Sequence, residues 1–97
     1  MFTGSLAIDL LLGDVHSLKE KRSVVRPIVA ELKRKYDVSA AEAGHLDLHR
    51  RALVGVAVVA AEASHVRDVL DACERLVAAR PEVEVLSARH QLFGEED

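Results

Sequence analysis

The amino-acid sequence predicts an α+β domain in which four antiparallel strands form a sheet and two helices cover one of its faces. Two segments repeat their apolar residues with helical period, four others have strand patterns, and turn residues separate them. The order is strand, helix, strand, strand, helix, strand, which with two right-handed crossovers is the ferredoxin-like βαββαβ arrangement. We expect a single domain over residues 1–93 and an acidic tail at 94–97.

The first strand and the first helix are marked at their ends. Residues 2–12 alternate between apolar and small or polar side chains, which predicts a strand with one strongly apolar face. Ser17 stands three residues before Glu20, the spacing of a capping box, so a helix is expected over 18–36. Pro27 would project to the solvent side of this helix, where it predicts a kink rather than a break. The apolar stripe of the helix consists of Leu18, Val25, Ile28, Val29, Leu32 and Tyr36.

The middle of the chain predicts two further strands joined by a turn. Residues 38–44 have the pattern of a short second strand, and 45–51 that of a turn or an irregular crossing. Residues 52–61 are apolar on both faces, as in a central strand.

The second half of the chain predicts the second helix and the last strand. Ser64 is a candidate cap for a helix over 65–80, and Pro81 would end it. The last strand is expected over 82–93. The apolar stripe of the helix consists of Val66, Val69, Leu70, Cys73, Leu76 and Val77.

One face of the predicted sheet would have no helices. A second copy of the chain is its simplest cover, so we expect a homo-oligomer, most simply a dimer, formed through this face or along a sheet edge. The alternative is an ordinary face, partly hydrated and partly shielded by the tail. The residues expected there include Thr3, Ser5, Ala7, Gly55, Ala57 and Val59.

Positive charge is concentrated in the first helix. Residues 17–36 contain seven basic and two acidic side chains, a net charge of +5, whereas the whole chain carries −3 and the remainder therefore −8. On a helical wheel four of the cations line one flank of the apolar stripe. They are Lys19, Arg22, Arg26 and Lys33.

A line of cations without interleaved acids complements the phosphates of a nucleic-acid backbone. The candidate nucleic-acid-binding residues are therefore Lys19, Lys21, Arg22, Arg26 and Lys33, with Arg50 and Arg51 added if segment 45–51 folds near the helix. A solvated helix flank and a surface for an acidic protein are the alternatives. The sequence has only three aromatic residues, too few for the base stacking of a typical RNA-recognition sheet, so sequence-specific base recognition is not expected.

The segment HLDLH places His45, Asp47 and His49 at alternate positions. In an extended segment the three side chains would point to one side and could hold zinc or iron, with Glu42 as a possible fourth ligand. The competing interpretation is that Asp47 and a histidine fix the turn by hydrogen bonds and that His49 packs beside the sheet. We do not assign a metal to the site on this pattern.

Other features argue against several functional classes. The single cysteine, Cys73, is expected to be a buried apolar residue. No serine or cysteine has an obvious histidine and acid companion, which predicts that the protein is not an enzyme of nucleophilic type. No glycine-rich phosphate loop is present and we expect no cofactor. The chain shows no export signal or membrane-spanning run, which predicts a cytoplasmic protein.

Three segments together resemble a known family. They are HSLKEKR (16–22), VSAAEAGHLDL (38–48) and RALVGVAVV (51–59). With these segments the chain resembles the YlxP-like bacterial proteins, a small domain family of unknown function, over nearly its whole length. The resemblance implies a ferredoxin-like fold. Through genes typically found beside those of translation-initiation and ribosome-maturation factors, it also implies a role around RNA or the ribosome. It implies no catalytic residues.

The sequence therefore leads to three hypotheses of function. The first is a non-enzymatic accessory factor in translation, ribosome maturation or RNA metabolism, which binds a phosphate backbone or a ribosomal surface. The second is a homo-oligomeric protein-interaction module without nucleic-acid binding. The third is a metal-dependent enzyme that uses the segment from His45 to His49.

Overall fold

The computed structural model describes residues 1–94, which form six elements in the predicted order. The strands lie in the order β2-β3-β1-β4, and each neighbouring pair is antiparallel, so the ferredoxin-like α+β fold is confirmed. Most of the predicted tail, residues 95–97, lies outside the described residues. The elements are β1 (Phe2–Leu12), α1 (Leu18–Lys35), β2 (Ser39–Gly44), β3 (Arg51–Ala60), α2 (Ala63–Ala78) and β4 (Val83–Gly94).

The core lies between the sheet and the two helices. Strand β1 is central and its alternate side chains Leu6, Ile8 and Leu10 are at most 1% exposed. Burying an aliphatic side chain of this size stabilises a fold by about 1.5–3 kcal/mol, so these β1 side chains contribute strongly to the stability of the core. Neither helix of residues 1–94 combines the length and the apolar character needed to span a bilayer. The helices contribute Val25, Ile28, Leu32, Val66, Leu70, Cys73 and Val77 to the core.

The start of α1 agrees with the predicted capping box. The hydroxyl of Ser17 accepts a hydrogen bond from the backbone N–H of Glu20 at 3.1 Å. The Glu20 carboxylate accepts from the backbone N–H of His16 at 2.7 Å. Pro27 lies within the helix on its exposed side, and the helix continues through it to Lys35.

The predicted start of α2 is wrong by two residues. The helix begins at Ala63 with Glu62 as the N-cap residue, and no side chain caps it. Ser64 therefore lies inside the first turn and is not a cap. The chain leaves β3 at Ala60 and enters the helix almost at once, so the turn is too short to place Ser64 before it.

The second face of the sheet has no helix on it, and we call it the open face. The cross-strand pairs Thr3–Val59, Ser5–Ala57 and Ala7–Gly55 confirm that the predicted residues share it. Val59 is 60% exposed. Phe93, the residue of β4 that pairs with Thr3, is 58% exposed.

Candidate nucleic-acid interface

Four exposed cations form a row along one flank of α1, and we call this row the basic ridge: Lys19, Arg22, Arg26 and Lys33. At 100° per residue they fall within about 60° of the helix circumference, next to the apolar stripe. The helical rise of 1.5 Å per residue spreads them over about 21 Å. The row of cations predicted from the sequence is therefore exposed as expected.

No carboxylate within residues 1–94 forms an ion pair with the basic ridge. The two acids of α1 are engaged elsewhere. Glu20 accepts the hydrogen bond from His16, and Glu31 pairs with Lys35 and Arg80 on the far side of the helix. Burial acts to raise the pKa of Glu31, but these two cations outweigh it and the pKa is lowered.

A groove with a volume of about 580 Å³ follows the basic ridge on the side of β2. Its cationic wall contains Arg22, Arg26 and Lys33, and its floor contains Val25, Val29 and Ala30. A smaller hollow of about 390 Å³ lies on the other side of Arg22 and Arg26. The two arginines therefore stand between two depressions, where a chain of phosphates could reach them from either side.

Within residues 1–94, Glu42 is the one acid that lines this groove. Its charge is compensated by Lys21, because the Lys21 Nζ atom lies 2.6 Å from Glu42 Oε2. That buried oxygen has no hydrogen-bond partner of favourable geometry among residues 1–94, so the contact is ionic. The groove thus keeps the positive charge of its three cations.

Lys21 is the first correction to the predicted interface. It is 2% exposed, so it cannot belong to a surface that meets phosphate. Its Nζ atom donates hydrogen bonds to the backbone carbonyls of His45 and Leu48, each at 2.7 Å. Together with the Glu42 contact, these bonds satisfy the buried ammonium group inside the protein.

The partners of Lys21 hold the β2–β3 turn against α1. The backbone of His45 has a positive φ of 56°, and its carbonyl also accepts from the backbone N–H of Leu48 at 3.0 Å. Such a left-handed conformation is uncommon outside glycine and costs about 1 kcal/mol, which the bonds of Lys21 offset. Lys21 joins the two segments of the family resemblance, 16–22 and 38–48.

Arg51 is the second correction. Its position in β3 places it on the open face, opposite to the helix layer, and its guanidinium group binds the carboxylate of Asp9. The Arg51 Nη2 atom lies 2.7 Å and 2.8 Å from the two oxygens. The Arg51 hydrogen bonds hold the pKa of Asp9 below its usual value, and a contact from His45 Nε2 at 3.4 Å acts in the same direction.

Arg50 is exposed at the end of the β2–β3 turn, and its contacts are with the end of β1. Its Nε atom donates to the carbonyls of Leu12 and Gly13, each at 3.2 Å. Since these bonds fix the side chain at the end of β1, we do not include Arg50 in the basic ridge.

The turn predicted for residues 45–51 is confirmed, and the extended geometry that the metal hypothesis requires is wrong. Residues 45–50 form turns and bends rather than an extended segment, so His45, Asp47 and His49 do not point to one side. His45 contacts Asp9, whereas Asp47 and His49 are exposed. No group of three metal-ligating side chains occurs in the part of the chain that the structure describes. The prediction that His49 packs beside the sheet is also wrong.

Cys73 is buried in α2, as predicted. Burial raises the pKa of its thiol, which keeps the group protonated and unreactive at neutral pH.

The sequence pattern could have indicated that Lys21 is buried and that Arg51 is paired. Lys21 precedes Val25 by four residues and Ile28 by seven, so it falls inside the apolar stripe of α1. A lysine at such a position is either partnered or excluded from the core. Arg51 and Asp9 occupy the same face of neighbouring strands, a diagonal cross-strand position at which opposite charges pair.

Comparisons with known proteins agree with this description. The profile of a family described as "Protein of unknown function (DUF503)" matches residues 3–90. The uncharacterized protein YlxP of Bacillus subtilis is 29% identical over 90 residues, which cover 93% of this chain and 98% of that protein. Among solved structures, SnoaB of Streptomyces nogalater, a cofactor-independent oxygenase, superposes with a TM-score of 0.55 at 13% identity. The superposition covers 98% of this chain and 94% of SnoaB, and at this identity it supports the fold alone.

Proposed function

The chain belongs to the DUF503 family of proteins of unknown function, and we propose that it binds the phosphate backbone of RNA through the basic ridge. In this proposal it is a cytoplasmic, non-enzymatic accessory factor in translation, ribosome maturation or RNA metabolism. The observation that carries the proposal is a row of four exposed cations that no carboxylate within residues 1–94 neutralises, on a chain whose net charge is negative.

The charge arrangement favours RNA over an acidic protein as the partner. The ridge is narrow, nearly straight and about 21 Å long, which suits a regular line of phosphates. Its groove has a small aliphatic floor and lacks the large aromatic anchors that dominate protein interfaces. Backbone contacts of this kind position a protein on RNA without selecting a sequence.

The test is the binding of a labelled single-stranded RNA oligonucleotide, measured by fluorescence anisotropy at low salt. The double variant Arg22→Glu, Arg26→Glu should lose about 25-fold or more in affinity at about 0.1 M salt, because a slope of about 0.7 per contact makes each phosphate contact worth about fivefold there. The matched control is Arg67→Glu, Arg75→Glu. It makes the same change of net charge on exposed positions of α2.

The control separates local binding from general attraction. If it keeps nearly full affinity while the ridge variant loses it, the ridge is the site. Equal losses in the two variants, or no binding by the unmodified protein at low salt, would contradict the proposal.

The translational role has its own test. Sedimentation of a cell lysate should carry the protein with ribosomal particles, and treatment with nuclease should release it. The variant Arg22→Glu, Arg26→Glu should stay in the soluble fraction. A protein that sediments with the particles regardless of the ridge would be bound by other contacts.

A further inference from the structure

The open face exposes an apolar centre that nothing in the chain covers within residues 1–94. Its central rows pair Ser5 with Ala57 and Ala7 with Gly55, and Ala41 of β2 lies beside Gly55. Larger apolar side chains lie at its ends. They are Val59 and Phe93 at one end, both more than half exposed, and the partly buried Leu53 and Leu11 toward the other.

Charges on the open face lie at its margins or are already paired. Asp9 and Arg51 neutralise each other at one end. Arg89 and Glu84 lie on β4, which is an edge strand. An apolar centre with a polar margin is the anatomy of a protein interface, because the centre can lose its water without leaving an unpaired charge.

The size of the open face suits a small dimer. The four strands have 11, 6, 10 and 12 residues, and at about 3.3 Å per residue and a spacing of about 4.8 Å they present about 600 Å² per copy. Two such faces would bury about 1,200 Å², the lower end of the range for specific complexes.

We propose that the open face is covered by the open face of a second copy of this chain, in a dimer with two-fold symmetry. The same apolar centre then meets itself, which is the defining property of a two-fold interface. Face-to-face sheets pack about 10 Å apart, and the small residues at the two centres allow the sheets to approach this closely.

This arrangement has a consequence for the proposed function. The helices lie on the far side of each sheet, so a dimer through the open faces leaves both copies of α1 on its outer surfaces. The assembly therefore presents two basic ridges, which point away from each other. Each ridge can hold its own RNA segment, and the dimer does not depend on RNA binding for its formation.

The test is the mass of the unmodified protein by sedimentation velocity at micromolar concentrations and at two salt concentrations. The expected mass is twice the 10.6 kDa of the chain, with little effect of salt because the centre of the interface is apolar. Ala57→Arg, which puts a charge at the centre of the face, should give a folded monomer. Folding of the variant is checked by circular dichroism.

A pair of changes at a second position guards against a variant that fails to fold. Val59→Glu should also give a monomer, whereas Val59→Thr, of nearly the same shape, should remain a dimer. Arg26→Glu on the opposite layer should not change the mass. A monomeric unmodified protein would overturn the proposal. A dimer that persists in both Ala57→Arg and Val59→Glu would also overturn it, because the contact would then lie at a sheet edge.

Discussion

Two kinds of cation lie within one turn of α1, and the protein uses them in opposite ways. Lys21 is buried, with its ammonium group held by Glu42 and by the carbonyls of His45 and Leu48. Lys19 and Arg22, its neighbours in the sequence, are exposed and have no ion pair within residues 1–94. Residue type does not distinguish them, but their angular position on the helix does.

The comparison shows what charge does on each side of the helix. On the core side a cation needs hydrogen-bond and ionic partners inside the protein. Lys21 finds them in β2 and in the β2–β3 turn, and thereby connects these segments to α1. On the flank a cation stays hydrated and has no internal partner, so it can form an ion pair with an external anion.

The largest effect is expected from Lys21→Met. This change leaves the Glu42 carboxylate and two carbonyls without their partner, and should lower the free energy of unfolding by about 3 kcal/mol. Urea denaturation measures it. The matched control is Lys19→Met, an identical change two residues away, which should stay within about 0.5 kcal/mol. Similar losses in the two variants would show that burial does not separate the two lysines.

A second variant sharpens the assignment to the ion pair. Lys21→Met combined with Glu42→Gln removes both charges, so the double variant should recover part of the lost stability. Simple addition of the two single losses would mean that Lys21 and Glu42 are not coupled.

A smaller effect is expected for Arg51, a third kind of cation that is half-buried and paired at the surface. Asp9→Asn removes the carboxylate that binds it and should cost about 1 kcal/mol at neutral pH, since water screens the pair. Because the pKa of Asp9 is lowered in the folded state, its contribution is present above the unfolded pKa of about 4 and is lost as pH falls through the folded value.

The pH dependence provides the measurement for this pair. The stability difference between the unmodified protein and Asp9→Asn should shrink as the pH is lowered below about 4. A difference that is constant or grows in acid would contradict the proposed role of the Asp9–Arg51 pair.

The smallest effect is expected for Arg22→Gln. Arg22 has like charges three residues before it and four residues after it, at Lys19 and Arg26. Removing the charge should raise the stability by a few tenths of a kcal/mol. Thermal unfolding at low salt measures this gain, which should vanish at high salt. A clear loss of stability would indicate an internal partner for Arg22.

The fold could be predicted from the sequence because its signals are local. Alternation in residues 2–12 and the capping box at Ser17 and Glu20 depend on neighbours within a few positions. The start of α2 was wrong because Ser64 and Glu62 are both possible cap positions, and the length of the preceding turn decided between them.

The candidate site was only partly predictable because its corrections are long-range. The exposed flank follows from helical period alone. The burial of Lys21 depends on acceptors at His45 and Leu48, which come from a turn that the positive φ of His45 bends away from an extended path. That same bend separates Asp47 and His49 from His45. The alternate spacing of the three residues therefore did not predict that their side chains share one side.

The most direct test of the basic ridge is the salt dependence of RNA binding. If four phosphates are neutralised, the logarithm of the affinity should fall with the logarithm of salt with a slope of about −2.8. For Arg22→Gln, Arg26→Gln, which keeps two ridge cations, the slope should be about −1.4. The same slope in both proteins, or one near zero in the unmodified protein, would contradict the claim that these exposed cations bind a phosphate backbone.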